Sequence, residues 1–87
     1  ALPRVLPAVR PAALEVDLHG LTVEEALATA ESALNDAILA DMAQVRFIHG
    51  RSGGRIRAAL HRRLKAIATV RHFLVDPRND GVTIVEL

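Results

Sequence analysis

Two short apolar runs, each ended by a His-Gly step and each followed by a helical pattern, constrain the fold of this chain most. Residues 14–18 alternate apolar and acidic side chains and lead into His19, while residues 44–48 lead into His49. A strand, a helix and a second strand in this order form a parallel pair with a right-handed crossover. Because the carboxyl ends of parallel strands lie at one edge of a sheet, the pattern predicts that both imidazoles meet there.

The other elements follow from periodicity and turn residues. Thr22 and Glu25 have the spacing of a capping box, which begins a helix that we expect to run to about position 40. A second helix over about residues 54–68 precedes strands over 71–75 and 82–86, which six residues connect as a hairpin. Two helices cover one face of a four-stranded sheet. The predicted fold class is therefore α/β, a two-layer βαβαββ sandwich with a mixed four-stranded sheet.

Length and composition exclude several kinds of protein. The chain has 87 residues, 51% of them hydrophobic, which indicates one folded domain. The absence of cysteine excludes disulfides, zinc-thiolate sites and cysteine nucleophiles. The only aromatic residues are Phe47 and Phe73, which argues against an aromatic platform for stacking single-stranded bases.

The amino-terminal segment differs from the rest of the chain. Prolines at positions 3, 7 and 11 block regular structure, so we expect a Pro-rich linker over residues 1–13 and one domain over 14–87. Because the chain does not begin with Met, we expect a domain cut from a longer protein. No run is long enough to span a membrane, and the start is a poor signal peptide, so we expect a cytoplasmic protein without a membrane partner.

The charges of the chain are segregated although its formal net charge is only +1. Residues 11–44 hold seven acidic residues and no Lys or Arg, whereas residues 42–75 hold eight basic residues and no acid. Seven of those eight are Arg, which favours bidentate contact with phosphate. We therefore expect a basic face that binds nucleic acid. The alternative is that the acidic and basic segments simply attract each other across the fold.

A glycine-rich turn follows the second strand and opens the second helix. Glycine allows the backbone to approach an anion, and the amides at a helix amino terminus carry partial positive charge. The spacing matches neither a P-loop nor a dinucleotide-binding fingerprint. The alternative is a tight turn that needs glycine for its geometry. The candidate nucleic-acid-binding residues are Gly50, Arg51, Ser52, Gly53, Gly54, Arg55, Arg57, Arg62, Arg63 and Lys65.

The candidate catalytic residues are Asp17, His19 and His49; the alternation of the first strand places Asp17 and His19, two residues apart, on one face. Imidazole exchanges protons near neutral pH, and a neighbouring carboxylate orients it or raises its basicity. The alternative is that these side chains only bond loop amides. Few acids lie near the predicted edge, so we expect one divalent ion at most, Mg²⁺ or Mn²⁺. His61 and His72 stand apart from these motifs, and we interpret both as isolated surface or half-buried imidazoles.

Three motifs in this order resemble the Smr (small MutS-related) domain family, including the copy at the carboxyl terminus of a bacterial MutS paralogue that acts outside mismatch repair. Residues 16–20, Val-Asp-Leu-His-Gly, are similar to the family's Leu-Asp-Leu-His/Arg-Gly motif. Residues 49–57 are similar to its His-Gly-x-Gly-x-Gly motif and following Leu-Arg step, with Ser52 in place of the second loop glycine. Residues 81–87 are similar to its late Gly-Val-Thr-x-x-x-Leu stretch.

The resemblance implies a fold similar to the carboxyl-terminal domain of translation initiation factor three. It also implies nucleic-acid binding and endonuclease activity that nicks DNA, branched DNA included, or cleaves RNA. For the parent proteins it implies suppression of recombination, DNA repair and ribosome rescue, with the ATPase domains of a MutS-like chain as partners.

Within that function we expect His49 to be the general acid or base. Asp17 is then an orienting group or an ion ligand, and His19 a second proton carrier or phosphate donor. The alternatives are a non-catalytic module that binds DNA, RNA or ribosomes, and a domain that docks on partner protein.

Overall fold

The computed structural model describes residues 13–51 and 54–87. Their order is β1 (Leu14–Asp17), α1 (Val23–Leu39), β2 (Gln44–Ile48), α2 (Arg55–Lys65), β3 (His72–Asp76) and β4 (Asn79–Glu86). This order confirms the predicted βαβαββ sequence of elements. Except for residue 13, the predicted linker lies outside the described residues.

The four strands form one mixed sheet in the order β1-β2-β4-β3. The first two strands run parallel, with Val16 opposite Phe47, as the His-Gly pattern predicts. β4 then pairs antiparallel with both β2 and β3. The Leu18 amide donates to the Ile48 carbonyl at 2.8 Å, which continues the parallel pairing up to the two His-Gly steps.

The hydrophobic core lies between the helices and one face of the sheet. Phe47 and Leu18 are fully buried there, together with Leu60 and Leu64 of α2. The buried side of α1 is rich in alanine, which allows the helix to lie close to the strands. Ile38, which the helical spacing places in the core, is 41% exposed. The prediction for Ile38 is wrong because Ala37 faces the core and the next residue is rotated about 100° away.

Side-chain hydrogen bonds explain where α1 begins and where the hairpin turns. The Thr22 hydroxyl accepts from the Glu25 amide and the Glu25 carboxylate accepts from the Thr22 amide, so the predicted capping box is confirmed. The predicted six-residue hairpin loop is wrong, because β4 begins at Asn79 and only positions 77 and 78 lie between the strands. There the Asp76 carboxylate accepts from the amide of residue 78, which tightens the turn.

The second helix is shorter than the periodicity predicts. It ends at Lys65 instead of about position 68. The amides of Ala66 and Ile67 bond carbonyls three residues back, to Arg63 and Leu64, which is the tighter pattern common at helix ends. No helix among the described residues is long and apolar enough to cross a membrane.

Candidate nucleic-acid site

The carboxyl ends of β1 and β2 border a cleft of about 650 Å³ that also reaches the first turns of α1 and α2. His19 and His49 both line it, together with Arg51 and Arg55. The two His-Gly steps lie side by side, since a Cβ built on Gly50 would stand 3.6 Å from the Cβ of His19. The structure therefore brings both predicted imidazoles and two predicted arginines to one place.

Asp17 and His19 form a hydrogen-bonded pair beside this cleft. The ring Nδ1 of His19 lies 2.5 Å from Oδ1 of Asp17, and the same oxygen accepts the backbone amide of His19 at 3.0 Å. These two bonds, the ring bond first, lower the pKa of the Asp17 carboxyl below its ordinary value. Because an ionised carboxylate only accepts, the proton of a neutral His19 ring lies on Nδ1.

The other ring nitrogen of His19 is open to a substrate. Among residues 13–51 and 54–87, none makes a hydrogen bond with its Nε2. The side chain is 67% exposed. His19 thus combines a fixed Nδ1 with an accessible Nε2, which is the arrangement that acid or base chemistry needs.

His49 is placed differently, with only 5% of its surface exposed. Its Nδ1 lies 3.0 Å from the carbonyl oxygen of Gly50, and its Nε2 lies 2.8 Å from Oγ1 of Thr83. Burial lowers the pKa of His49 below its ordinary value of 6.5, an effect that the hydrogen bond to Gly50 only partly offsets. Both ring nitrogens are engaged in this neutral state, so His49 reaches a substrate only by giving up a bond.

Gly81 of β4 supports the start of the glycine-rich turn. Its carbonyl accepts from the amides of His49 and Gly50, at 2.9 and 3.0 Å. A Cβ at position 81 would lie 3.1 Å from the carbonyl carbon of Gly50 and from Cγ of Arg51, so only glycine fits without a shift. We did not anticipate this role, although Gly81 belongs to the late motif. The candidates Ser52 and Gly53 lie outside the described residues.

The predicted basic residues divide into paired and unpaired groups. Arg51 forms an ion pair with Asp80 at 3.1 Å, and Arg63 forms one with Glu31 at 2.7 Å. The Arg63 pair joins α2 to α1, so part of the segregated charge is used inside the fold. The predicted cations without an ion pair among the described residues are Arg55, Arg57, Arg62 and Lys65 of α2. These four remain for binding an anion.

His61 was missed. The interpretation of His61 as isolated is wrong, because its Nε2 lies 2.7 Å from the same Thr83 Oγ1 that His49 contacts. Its ring also meets Phe73 edge to face at 5.0 Å between centroids. The sequence signal was Thr83 itself, a polar residue at the core-facing register of β4, which requires a buried partner. His72 is exposed, as expected.

No three His, Asp or Glu side chains of the described ranges come together in a way that could hold a metal ion. Asp17 and His19 alone provide fewer protein ligands than a closed site uses. The expected Mg²⁺ or Mn²⁺ stays a prediction.

Comparison with known proteins agrees with the motifs. A family model described as the Smr domain matches residues 16–87. The chain is 43% identical over 76 residues to Endonuclease MutS2 of Pelotomaculum thermopropionicum, a match that covers 84% of the chain and 10% of that protein. It is also 43% identical over 77 residues to Endonuclease MutS2 of Geobacillus kaustophilus, covering 85% of the chain and 10% of the relative. The chain therefore spans about a tenth of these relatives.

Among solved structures, the crystal structure of the Smr domain of Thermus thermophilus MutS2 superposes with a TM-score of 0.82 at 37% identity. The match covers 84% of this chain and 95% of that one. It confirms the predicted α/β architecture.

Proposed function

Because this chain belongs to the Smr domain family, we propose that it is a nucleic-acid endonuclease domain in which His19 carries the proton of the reaction. The family membership points to a nuclease-like or nucleic-acid-binding module. The relatives named Endonuclease MutS2 support cleavage, but they are roughly ten times longer than the matched region, so their activity comes to this chain as a proposal.

The Asp17–His19 pair carries the proposal. With its proton on Nδ1 held by the carboxylate, neutral His19 offers the lone pair of Nε2 to a water molecule that attacks phosphorus. Asp17 stabilises the imidazolium that forms, and the leaving oxygen, which lies on the opposite side of phosphorus from the attacking water, takes its proton from solvent. In this assignment His19 replaces His49 as the acid or base, because both nitrogens of His49 are engaged.

Cations beside the cleft supply the second part of the mechanism. Phosphodiester hydrolysis places negative charge on the phosphoryl oxygens, and positive groups already in position stabilise it. Arg55 lines the cleft and makes no ion pair among the described residues. Arg57, Arg62 and Lys65 extend the positive charge along α2, where they hold the nucleic-acid backbone.

A non-catalytic module that binds DNA, RNA or ribosomes is the second candidate. The four cations of α2 that have no ion pair with a described residue favour it, because they bind phosphate whether or not cleavage follows. Under either candidate we propose that the domain works beside the ATPase domains of a longer MutS-like chain, whose roles would be suppression of recombination, DNA repair and ribosome rescue.

A nicking assay on supercoiled plasmid tests the proposal. We expect the wild type to nick, His19→Ala to lose nicking, and His72→Ala to retain it. His72 is the matched control because it is exposed and lies at the opposite edge of the sheet, opposite Glu86. Anisotropy with a labelled oligonucleotide, measured beside the assay, reports binding.

Two results would overturn the assignment. Binding without any nicking by the wild type would favour the binding module. Nicking by His19→Ala at the wild-type rate would remove His19 from the reaction. Parallel reactions with Mg²⁺, Mn²⁺ and EDTA decide the metal requirement.

A further inference from the structure

A largely buried series of hydrogen bonds runs from α2 through β4 to Gly50, at the start of the glycine-rich turn. His61 Nε2 and His49 Nε2 approach the same hydroxyl oxygen of Thr83, at 2.7 and 2.8 Å. Thr83 is fully buried, so bulk solvent does not reach its hydroxyl. At the far end, Nδ1 of His49 lies 3.0 Å from the Gly50 carbonyl oxygen.

The donors and acceptors fix the direction of this series of hydrogen bonds. A carbonyl oxygen only accepts, so Nδ1 of His49 must carry a proton and donate to Gly50. The Nε2 of neutral His49 then accepts the one hydrogen bond that the Thr83 hydroxyl can donate. The Thr83 oxygen must therefore accept from His61, which carries its proton on Nε2.

The surroundings keep both rings neutral and oriented. Burial lowers the pKa of His61, and the neighbouring His49, Arg57 and Lys65 lower it further. Phe73 of β3 contacts the ring of His61 edge to face, which restricts its rotation. A neutral His61 held this way is a donor of fixed direction toward Thr83.

We infer that His61 and Thr83 are positioning residues of this site, which hold His49 in the Nδ1-protonated tautomer and thereby anchor Gly50, the residue that lies beside the Cβ of His19. If His49 carried its proton on Nε2 instead, the lone pair of Nδ1 would face the Gly50 carbonyl oxygen and repel it. Gly50 would then move away from its place beside His19. The effect on cleavage rests on the proposed function, whereas the tautomer itself does not.

Long-range ¹H–¹⁵N correlation spectra of the labelled chain at neutral pH read the tautomers directly. We expect the proton on Nδ1 in His49 and on Nε2 in His61. A wild-type spectrum with His49 protonated on Nε2 would overturn the inference without any variant. Since this measurement needs no substrate, it stays decisive even if the chain proves not to cut nucleic acid.

An isosteric pair of variants tests the role of His61. The amide of His61→Gln can donate to Thr83 and should preserve the His49 tautomer. The carboxylate of His61→Glu only accepts, so the Thr83 hydroxyl donates its hydrogen bond to residue 61. The Nε2 of His49 must then carry the ring proton in order to donate to the Thr83 oxygen. His72→Gln and His72→Glu are the controls, because they make the same substitutions at an exposed histidine outside this series of hydrogen bonds. Both should leave the tautomer of His49 unchanged.

Thr83→Ser and Thr83→Val give a second test if His61→Glu does not fold by circular dichroism. Serine keeps the hydroxyl and should keep the tautomer, whereas valine keeps the volume and should allow Nε2 protonation of His49. The inference would be overturned if the ring ¹⁵N signals of His49 were the same in His61→Gln and His61→Glu and also the same in Thr83→Ser and Thr83→Val, with all four variants folded. If the wild type nicks, the nicking rate of His61→Glu should be roughly tenfold or more below that of His61→Gln, because small displacements of reacting groups lower a rate by at least that factor.

Discussion

Asp17 and His19 are joined twice, since one carboxylate oxygen accepts both the ring Nδ1–H and the backbone amide of His19. The first bond selects the tautomer of His19, and the second fixes the backbone from which its ring projects. Residues two apart at the end of a strand are close enough for both bonds. The chemistry that we propose depends on this pair.

The Asp17→Asn variant tests what the carboxylate contributes. An amide retains the shape but neither bears the charge nor enforces the Nδ1–H tautomer, so we expect nicking to fall roughly 100-fold. Glu15→Gln is the matched control, because Glu15 is also an exposed acid of β1 but pairs with Arg46 instead of a histidine. Initial nicking rates at saturating plasmid compare the two. Equal rates for Asp17→Asn and Glu15→Gln would show that Asp17 has no part in the reaction.

Buried His49 and half-buried His61 predict how stability depends on pH. The pKa values of His49 and His61 are lowered in the fold, mainly by burial, from an ordinary value of 6.5. Below that value the unfolded chain binds protons that the folded chain does not, so the free energy of unfolding should decrease as pH falls through about 6.5 and continue to decrease to the folded pKa values. The charged groups acting on the two rings are Arg57 and Lys65 of α2 and Asp80 of β4.

Urea unfolding between pH 7.5 and pH 5 measures this dependence. The His61→Gln variant should show a shallower decrease than the wild type, whereas His72→Gln should match the wild type. The lowered carboxyl pKa values of Asp17 and Asp76 lie below 3.8, so their contribution is lost only in more acidic solution. A wild-type free energy of unfolding that stays constant over this range would rule out His49 and His61 as neutral histidines with lowered pKa values.

The ion-pairing of the arginines predicts which of them bind phosphate. Each phosphate contact with duplex DNA contributes about 0.9 to the slope of log affinity against log salt. Replacing Arg55 and Arg62 together by Ala should therefore reduce the slope by roughly 1.8. Arg63→Ala should leave it unchanged, because Glu31 already pairs with Arg63. Anisotropy titrations at several salt concentrations give the slopes, and an equal loss in both variants would refute the division into paired and unpaired cations.

Gly81 predicts a steric effect on the turn. In Gly81→Ala the new Cβ meets the backbone of Gly50 and Arg51, which should cost about 1–3 kcal/mol of unfolding free energy. It should also speed amide exchange at His49 and Gly50, whose amides donate to residue 81. Gly20→Ala is the comparison variant for strain without a steric clash. The φ of 82° at position 20 strains any side chain, but nothing lies within 4 Å of the new Cβ. Amide exchange at His49 and Gly50 that stays as slow in Gly81→Ala as in the wild type would contradict this prediction.

Local patterns are sufficient for the order of the helices and strands and for the Asp17–His19 part of the site. Alternation in β1 predicted that Asp17 and His19 share a face, and the Thr22–Glu25 spacing predicted where α1 begins. The start of β4 was missed because side-chain bonds of Asp76 and Asn79 close the hairpin in fewer residues. The engagement of His49 depends on Thr83, which is 34 positions away, and no local pattern encodes that contact.

Chemical rescue of His19→Ala by imidazole tests the central claim most directly. If His19 carries the proton, imidazole added to the folded variant should restore nicking in proportion to its concentration. It should not restore Asp17→Asn, which retains its own ring. Failure of imidazole to restore a variant that still binds nucleic acid, or undiminished nicking by that variant without imidazole, would contradict the assignment of His19 as the proton carrier.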